Sequence, residues 1–448
     1  MSFKATFLFA VSYVLSTLLF ISDSFFVHVH SRNNVNKLVT MLYDSNCGGL
    51  LSSHCTSAVT KHDNIKKDWN SIYRRHSVSL AAAVKSSLGS KGRGSSALQM
   101  AVQYESFSDL KFAILGGGAF SLALSKVLSY KNISTVMLVR NQTVADYINE
   151  NHFHPKYLVD SPLPIQLHAT SDPLEALAGA HYIVHAVPMQ QSRSFLMSIK
   201  PHLEKNKIPI LSVTKGVEQK TFCLMNDIIV ECLGVDQKAA FLSGPSFAKE
   251  IMNSEATAVV IASNDDELAS ELTEILSSDY FRCHTSRDVK GVELGGAIKN
   301  VIALAAGMCE GLGLGMNAMS SLVTRGCSEM SRMGKLFGAD EETFFGLAGV
   351  GDTFGTCLGP LSRNRQVGYR LAKGERLDDI LGSIDGVSEG VFTALALEQL
   401  IKTKVRPTVF DFKFPIISGV ASIIKGNMTP RFGLTLLMQY PIRDENRG

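Results

Sequence analysis

Residues 111–121 read KFAILGGGAFS, and this stretch decides the fold of the chain. The mostly apolar run Lys111 to Leu115 predicts a short buried strand, three glycines follow at once, and a helix-like run from Leu122 to Leu128 comes next. This order of strand, glycine turn and helix is the one that a dinucleotide site requires. Gly116 would make the tight turn, and Gly118 would let a pyrophosphate approach the helix N-terminus, where free N–H groups favour anions.

Two positions bear on the cofactor of this site. The G-x-G-x-x-G pattern ends here in Ser121, so an ordinary glycine turn stays open as an alternative. The next predicted strand, Thr135 to Val139, is followed by Arg140, where an enzyme strict for NAD tends to carry an acid for the ribose 2′-hydroxyl. An arginine there permits a 2′-phosphate, although it could also be a loop residue that faces solvent. The sequence therefore predicts NAD or NADP, with NADPH permitted by Arg140.

Further β-rich runs alternate with helical segments and predict a parallel sheet: Tyr182 to Val187, Ile208 to Val213, Ala239 to Leu242 and Ala256 to Ala262. Ligands of such sheets collect outside the carboxyl ends of the strands, where Lys215, Ser246 and Arg140 stand. We predict an α/β fold in which a Rossmann-type dinucleotide-binding domain, residues 107–292, is followed by an all-α substrate domain, residues 293–448.

The predicted helix from Leu294 to Cys309 carries a single basic residue, Lys299, in an otherwise apolar run. Such a lysine must extend to solvent, form an ion pair or take part in chemistry, and the sequence leaves these alternatives open. Its face of the helix also carries small residues that leave room for something to come close: Gly295, Gly296, Ala303 and Ala306.

Two polar blocks follow this helix. A glycine-rich turn at residues 349–351 ends in Asp352, and Ser362, Arg363 and Asn364 stand ten residues later. Arginine and asparagine together can donate several hydrogen bonds to a phosphate, and arginine can do so as a bidentate fork. The alternative is a polar helix start in which Ser362 is the N-cap.

The first 106 residues read as a leader. The apolar run from Phe7 to Ile21 is shorter than a membrane span and fits the core of a signal peptide, predicted for residues 1–26, with a signal anchor or a buried strand as alternatives. Residues 27–106 predict a basic transit-like segment and linker; residues 27–103 hold ten Lys or Arg against three Asp. Such two-part leaders resemble those that address proteins to plastids of secondary origin, such as the apicoplast; otherwise the chain would remain in the secretory pathway or the cytosol.

Composition excludes several partners. The eight cysteines form no C-x-x-C pair and no cluster of histidines lies at metal-ligand spacing, so we expect neither a metal site nor a disulfide scaffold. Because the chain after the leader is mildly acidic, we expect no nucleic-acid partner. The apolar run from Val301 to Met308 is too short to span a membrane, so we expect no stable span in the mature protein.

Together these blocks resemble the NAD(P)-dependent glycerol-3-phosphate dehydrogenase family, nearest its bacterial and plastid branch, over roughly residues 110–440. The blocks that carry the resemblance are the glycine loop, Thr214–Gly216, Ser243–Glu250, Gly291–Asn300, Thr324–Gly326, Gly349–Asp352, Ser362–Arg365 and Glu389–Gly390. The resemblance implies reversible hydride transfer between NAD(P)H and dihydroxyacetone phosphate, giving sn-glycerol 3-phosphate, and we expect a homodimer. The alternatives are another two-domain dehydrogenase, of the hydroxyacid or 6-phosphogluconate type, and a nucleotide-sensing protein without catalysis.

The resemblance also implies a role for each site residue. Lys299 would be the general acid/base, and the other catalytic residues would be Lys215, Asp352 and Thr356. The substrate would contact Lys215, Gly244, Ser246, Lys299, Asp352, Ser362, Arg363 and Asn364. The cofactor would contact Gly116, Gly118, Ala119, Phe120, Arg140, Lys215, Ala248, Arg363, Val387 and Glu389. Ser121 and Val139 depart from the residues common in the family, which puts the choice of cofactor in doubt.

Overall fold

The computed structural model describes residues 107–204, 206–384 and 386–439. The predicted signal-like and transit-like segments, residues 1–26 and 27–106, lie outside the described residues. Within the described part, an eight-stranded sheet with helices on both faces comes first, and a group of helices follows it. The predicted fold class is confirmed.

The sheet has the strand order β3-β2-β1-β4-β5-β6-β7-β8. Its strands are β1 (Lys111–Leu115), β2 (Ser134–Leu138), β3 (Leu167–Thr170), β4 (Tyr182–His185), β5 (Ile210–Ser212), β6 (Ala239–Ser243), β7 (Thr257–Ser263) and β8 (Phe281–Ser286). The order reverses between β1 and β4, which pair in parallel. A crevice outside the carboxyl ends of two such strands is where open α/β sheets bind ligands.

Two edge strands, β3 and β8, are missing from the sequence prediction. β8 alternates buried and exposed residues along Phe281 to His284, so it lacks the continuous apolar run that marks the interior strands. β3 has only four residues and includes an exposed His168. The interior strands lie where they were predicted, with bounds that shift by one or two residues.

The expectation of a parallel sheet is wrong at one position, because β6 and β7 run antiparallel, with Ser243 opposite Val260. The apolar run of β7 predicts a buried strand but not the direction of its pairing, which is decided when the strands pack together in the sheet.

Seven helices accompany the sheet in the described residues: α1 (Ala119–Ser129), α2 (Gln142–Asn151), α3 (Pro173–Leu177), α4 (Met189–Leu203), α5 (Met225–Leu233), α6 (Ala248–Met252) and α7 (Asp266–Leu276). Two hydrophobic clusters cover its two faces. One includes Leu124 of α1 and Leu272 of α7, and the other includes Leu196 of α4 and Ile228 of α5.

The second group of helices is α8 (Val289–Gly311), α9 (Met316–Leu336), α10 (Asp352–Leu358), α11 (Arg363–Ala372), α12 (Leu377–Ser383), α13 (Glu389–Lys404), α14 (Pro407–Lys413), α15 (Pro415–Ile424) and α16 (Pro430–Met438). A 3₁₀ helix, Glu341–Phe345, and a π-helical turn, Leu347–Gly351, lead into α10. A third hydrophobic cluster fills this part of the molecule and is centred on α8.

Helix α8 begins five residues before the predicted Leu294, because Asp288 caps it by accepting a hydrogen bond from the Gly291 amide at 2.9 Å. It packs against α9, α10, α11 and α13, and also against β6 and β7. The predicted domain boundary at residues 292 and 293 therefore falls within its first turns, and the same helix contacts both parts of the fold.

In the described part of the chain, α8 is the one helix that is long and apolar enough to cross a membrane. At 23 residues it is longer than the run from Val301 to Met308 on which the sequence expectation rested. Within the structure 94% of its most apolar window is buried, as in the core helix of a globular fold.

Candidate active site

Lys299 lies on α8 and is 9% exposed. Its Nζ donates hydrogen bonds to Oδ1 of Asp352 and to Oγ1 of Thr356, both at 2.8 Å. Asp352 and Thr356 stand one turn apart on α10, and the threonine hydroxyl donates to Asp352 Oδ1 at 3.2 Å. The sequence left open whether Lys299 extends to solvent, forms an ion pair or takes part in chemistry. In the structure Lys299 forms an ion pair, and two side chains hold its ammonium group.

Lys215 reaches the same carboxylate from the sheet. Its Nζ lies 2.6 Å from Oδ2 of Asp352 and donates to the carbonyl of Gly244 at 3.4 Å. Lys215 follows β5, and the chain turns directly after it at Gly216, whose φ of +139° favours glycine. Asp352 thus binds one ammonium group on each oxygen, and the three side chains together carry one net positive charge.

Burial and charge act against each other in this cluster. Burial lowers the pKa of Lys215 to about 8; the nearby Lys299 charge also lowers it, and Asp352 opposes both. Burial alone would raise the pKa of Asp352, but the Lys215 and Lys299 ammonium groups outweigh it and hold this pKa below its usual value. The carboxylate therefore stays ionised and can orient both amines.

Glycines on α8 allow this cluster to form. A Cβ on Gly295 would lie 2.5 Å from the carbonyl oxygen of Ala348, and one on Gly296 would lie 2.9 Å from Oγ of Ser243 and 3.3 Å from Cδ of Lys215. The space that the small residues leave is thus filled at these two positions by the segment before Asp352 and by the stem of Lys215.

The end of β6 borders the same cluster. Gly244 has a φ of +131°, and its carbonyl accepts hydrogen bonds from Lys215 and, at 2.9 Å, from the Ser246 hydroxyl. The structure therefore brings Lys215, Gly244, Ser246, Lys299, Asp352 and Thr356 to one place, although they are spread over 142 positions of the chain.

The predicted phosphate-binding block starts helix α11. The Ser362 hydroxyl accepts a hydrogen bond from the Arg365 amide at 3.2 Å, so Ser362 is the N-cap, as the alternative interpretation held. Asn364 is buried: its amide donates to Oδ1 of Asn300 at 2.8 Å and accepts from Ser388 and Gly390. Arg363 is exposed, and its guanidinium packs against Gly386.

Asn300 is a site residue that the sequence analysis passed over. It follows Lys299 directly, and its side chain links α8 to Asn364 of α11. The signal was present, because an amide next to the lysine of an apolar helix must find a partner when both are buried.

Several of the predicted cofactor residues lie directly after β1 or at the starts of helices α1 and α6. Gly116 has a φ of +115°, and a Cβ there would meet the carbonyl oxygen of Ala186, at the end of β4, at 2.8 Å. Gly118 is the N-cap of α1 and faces open space, as an approaching pyrophosphate needs. Ala119 and Phe120 open α1, and Ala248 opens α6, which packs against α1.

The remaining cofactor candidates come from both parts of the fold. Arg140 is exposed after β2, and its Nη2 lies 3.5 Å from Oε1 of Gln191. Glu389 is the first residue of α13, directly after the loop that holds Val387; its Oε1 accepts from the Met189 amide at 2.9 Å. Burial raises the pKa of Glu389 to about 7, against the Met189 hydrogen bond and the charge of Arg363.

The residues present fit a dinucleotide. The Oε2 atom of Glu389 is buried without a hydrogen-bond partner among the described residues, so it is available for a hydrogen bond with a hydroxyl of the cofactor. Gly118 leaves the N-terminus of α1 open, and Arg140 lies where it could contact a phosphate on the ribose of the cofactor.

Family models match both parts of the fold. The N-terminal model of NAD-dependent glycerol-3-phosphate dehydrogenase matches residues 111–269, and the C-terminal model matches residues 288–434. The chain belongs to the NAD-dependent glycerol-3-phosphate dehydrogenase family. Membership confirms the predicted family, the oxidoreductase class and the NAD(P) cofactor.

Individual relatives agree with this assignment. The chain is 43% identical to the chloroplastic glycerol-3-phosphate dehydrogenase [NAD(+)] of Oryza sativa, over 75% of each chain. It is 41% identical to the glycerol-3-phosphate dehydrogenase [NAD(P)+] of Nitratidesulfovibrio vulgaris, over 75% of this chain and 100% of the relative. The crystal structure of the Coxiella burnetii enzyme superposes with a TM-score of 0.69 at 32% identity, covering 74% of this chain and 99% of that one.

Proposed function

We propose that this chain is a glycerol-3-phosphate dehydrogenase in which Lys299 exchanges the proton while NAD(P)H reduces dihydroxyacetone phosphate. The observation that carries the assignment of roles is the buried Lys299–Asp352–Lys215 cluster at the carboxyl edge of the sheet. Hydride transfer to a ketone places negative charge on its oxygen, and two ammonium groups held by one carboxylate are suited to stabilise that charge.

When bound, the nicotinamide supplies the hydride. As the new C–H bond forms, the electron pair of the carbonyl π bond moves to oxygen, which takes a proton from Lys299 Nζ. Asp352 and Thr356 hold that amine in place through their hydrogen bonds. In the reverse direction the same amine, now neutral, removes the proton from the alcohol.

The substrate phosphate is assigned to the start of α11. Arg363 supplies an exposed guanidinium at the first turn of this helix, where the dipole also favours an anion. Asn364 would act with Arg363 through the second N–H of its amide. Anchoring a small substrate by its phosphate holds its carbonyl in one orientation toward Lys299.

The direct test is to follow oxidation of NADH and of NADPH by the full chain with dihydroxyacetone phosphate as substrate. Turnover with at least one cofactor is expected. Hydroxyacids and 6-phosphogluconate serve as competitor substrates: faster turnover of one of them would favour the other type of dehydrogenase. Cofactor binding without turnover of any substrate would favour a nucleotide sensor and overturn the proposal.

We also propose delivery to a plastid of secondary origin. The support is the composition of residues 1–106, together with the chloroplastic name of the Oryza sativa relative. A fluorescent protein fused behind residues 1–103 should collect in a plastid, and a version without residues 1–26 should not enter the secretory pathway. A cytosolic signal from the complete leader would overturn this localisation.

A homodimer is the proposed assembly. Its support is an apolar surface on and after α10, where Phe354 and Leu358 stand one turn apart and are 51% and 43% exposed, with Leu361 close behind. Exposed apolar groups at this spacing are typical of interfaces. Light scattering should give twice the chain mass, and the double variant F354S/L358S should give the monomer mass. A monomeric wild-type protein would contradict the proposal.

A further inference from the structure

His185 is a fully buried histidine that the site described above does not use. It ends β4 in the middle of the sheet, where it is in register with Leu115 of β1 and with Ser212 of β5. Its Nδ1 lies 3.2 Å from Oγ1 of Thr214, the residue directly before Lys215. The imidazole therefore lies immediately behind the edge at which the cofactor and Lys215 are expected to meet.

The hydrogen bonds around Thr214 assign the proton on this imidazole. The Thr214 hydroxyl lies 2.7 Å from the carbonyl oxygen of Val187, which can only accept, so its one proton points there. Oγ1 must then accept from His185, which places a proton on Nδ1. Burial lowers the pKa of His185 to about 4, so the ring is neutral and this is its single proton.

The same assignment explains an unpaired atom. With the proton on Nδ1, the Nε2 atom of His185 is an acceptor, and it is buried without a partner among the described residues. A buried acceptor without a partner destabilises the fold, so an apolar residue would be the simpler occupant of this position. The Nδ1 hydrogen bond to Thr214 is the contact that such a residue could not make.

The Thr214 hydroxyl joins two functional segments. On one side are the loop after β4, whose Ala186 carbonyl packs against Gly116, and the start of α4, whose Met189 amide donates a hydrogen bond to Glu389. On the other side is Lys215, whose amine binds Asp352.

We propose that His185 is a positioning residue, which directs the Thr214 hydroxyl onto the Val187 carbonyl and so sets the place of Lys215 relative to the cofactor-binding turn. The inference rests on the proposed function, since its effect is measured through turnover. It assigns no contact with substrate or cofactor to His185.

The test compares three variants of the full chain in steady-state assays with dihydroxyacetone phosphate. H185L introduces an apolar side chain of moderate size that has no hydrogen-bond donor. H185N can donate from Nδ2, close to the place of the imidazole Nδ1, and T214V removes the hydroxyl while keeping the shape. Because displacement of a catalytic group costs rate, H185L and T214V should each lower kcat roughly tenfold, whereas H185N should recover most of it. The KM for dihydroxyacetone phosphate should change less than kcat.

Coupling distinguishes positioning from general destabilisation. If His185 acts through Thr214, adding H185L to T214V should lower kcat little further, since the target hydroxyl is already gone. H284N on strand β8, where the histidine is exposed, is the matched control and should keep wild-type kcat. Thermal melts of all variants show whether lower rates accompany lower stability.

Three results would each overturn the inference. H185N could have a kcat as low as that of H185L, or H185L could keep the wild-type kcat. In the double variant, the decreases in kcat caused by H185L and T214V could multiply. If H185L does not fold, the kcat of T214V tests the role of His185 instead, because a wild-type kcat in T214V would also refute that role. Wild-type turnover is measured first. Its absence would refute the proposed function, whereas its presence with a failed variant pattern refutes only the role of His185.

Discussion

Lys299 and Asp352 are 53 positions apart in the chain, yet their side chains form a buried ion pair. The lysine could be singled out from the sequence because a single charge in an apolar helix needs an explanation. The sequence does not show that one carboxylate binds both Lys299 and Lys215, because this depends on how α8, α10 and the end of β5 pack together.

Replacing Lys299 by methionine tests the proton transfer. The side chain keeps its length and loses its ammonium group, so kcat should fall by about 10²–10⁴-fold, the usual contribution of general acid catalysis. Binding of NAD(P)H, measured by fluorescence titration, should persist. K290M changes an exposed lysine of the same helix and should leave kcat unchanged. A K299M rate close to wild type would remove Lys299 from the mechanism.

The pKa of Lys215 predicts an alkaline limit to activity. A lysine loses its charge as pH rises through its pKa, and burial lowers that of Lys215 to about 8. We therefore expect kcat/KM for dihydroxyacetone phosphate to fall as pH rises through this value. Because Asp352 raises the pKa of Lys215, D352N should move the fall to lower pH. D378N, at an exposed acid, should leave the profile in place. A fall displaced to higher pH in D352N would contradict this electrostatic account.

The position of Arg140 after β2 predicts that a substitution there affects the KM for NADPH more than the KM for NADH. If its guanidinium contacts the 2′-phosphate, R140Q should raise the KM for NADPH about tenfold, because one charge-assisted hydrogen bond is lost. The KM for NADH should stay nearly unchanged. R282Q, at an exposed arginine of β8, is the control. An equal change for both cofactors would mean that Arg140 does not recognise the phosphate.

At the scale of elements, α8 and α11 cross with their backbones in contact. A Cβ on Gly307 would lie 1.9 Å from the carbonyl oxygen of Arg365, and one on Gly368 would lie 1.9 Å from that of Leu304. This close crossing brings the start of α11, with Arg363 and Asn364, toward the Lys299 side of α8. The glycines are visible in the sequence, but the helix that each one faces is not.

G307A should therefore force the two helices apart. Overpacking of this kind typically destabilises a protein by about 1–3 kcal/mol. We expect kcat/KM to fall as well, because Arg363 and Asn364, the proposed phosphate-binding residues, move with α11. G419A in α15 is the matched control, since its Cβ would meet nothing within 4 Å; it should be neutral or stabilise by up to about 1 kcal/mol. Urea unfolding measures the free energy of unfolding of both variants. Equal stability of G307A and wild type would show that the crossing can relax.

The sheet shows a related division between local and tertiary information. The buried interior strands could be predicted because each is a continuous apolar run. β8 could not, because half of its residues face solvent. The reversed direction of β7 could not be predicted, because an apolar run indicates a buried strand but not the direction in which it pairs.

At the scale of the whole molecule, both family models match within residues 111–434. The Nitratidesulfovibrio vulgaris relative is covered over its full length by 337 residues of alignment, and all proposed site residues lie between Gly116 and Glu389. Helix α8 carries Lys299 while it packs against both the sheet and the C-terminal helices. The helix that carries the proposed catalytic lysine is therefore shared by the two parts of the fold.

A chain that begins at residue 104 should accordingly keep the kcat and KM of the full-length protein, because no proposed site residue precedes Gly116. Both proteins are assayed side by side with dihydroxyacetone phosphate, and analytical gel filtration checks that each is folded. A truncated chain that is folded but inactive would show that the first 103 residues contribute to catalysis.

The sequence by itself determined the α/β class, the glycine turn after β1, the apolar helix with its lysine, and the family to which these motifs belong. Those features depend on local order and periodicity, which can be read along the chain. The tertiary structure alone decided that Asp352 joins two lysines, that Asn364 links three segments, and that His185 lies behind Thr214. These contacts join residues tens of positions apart, so the packing of helices and strands determines them.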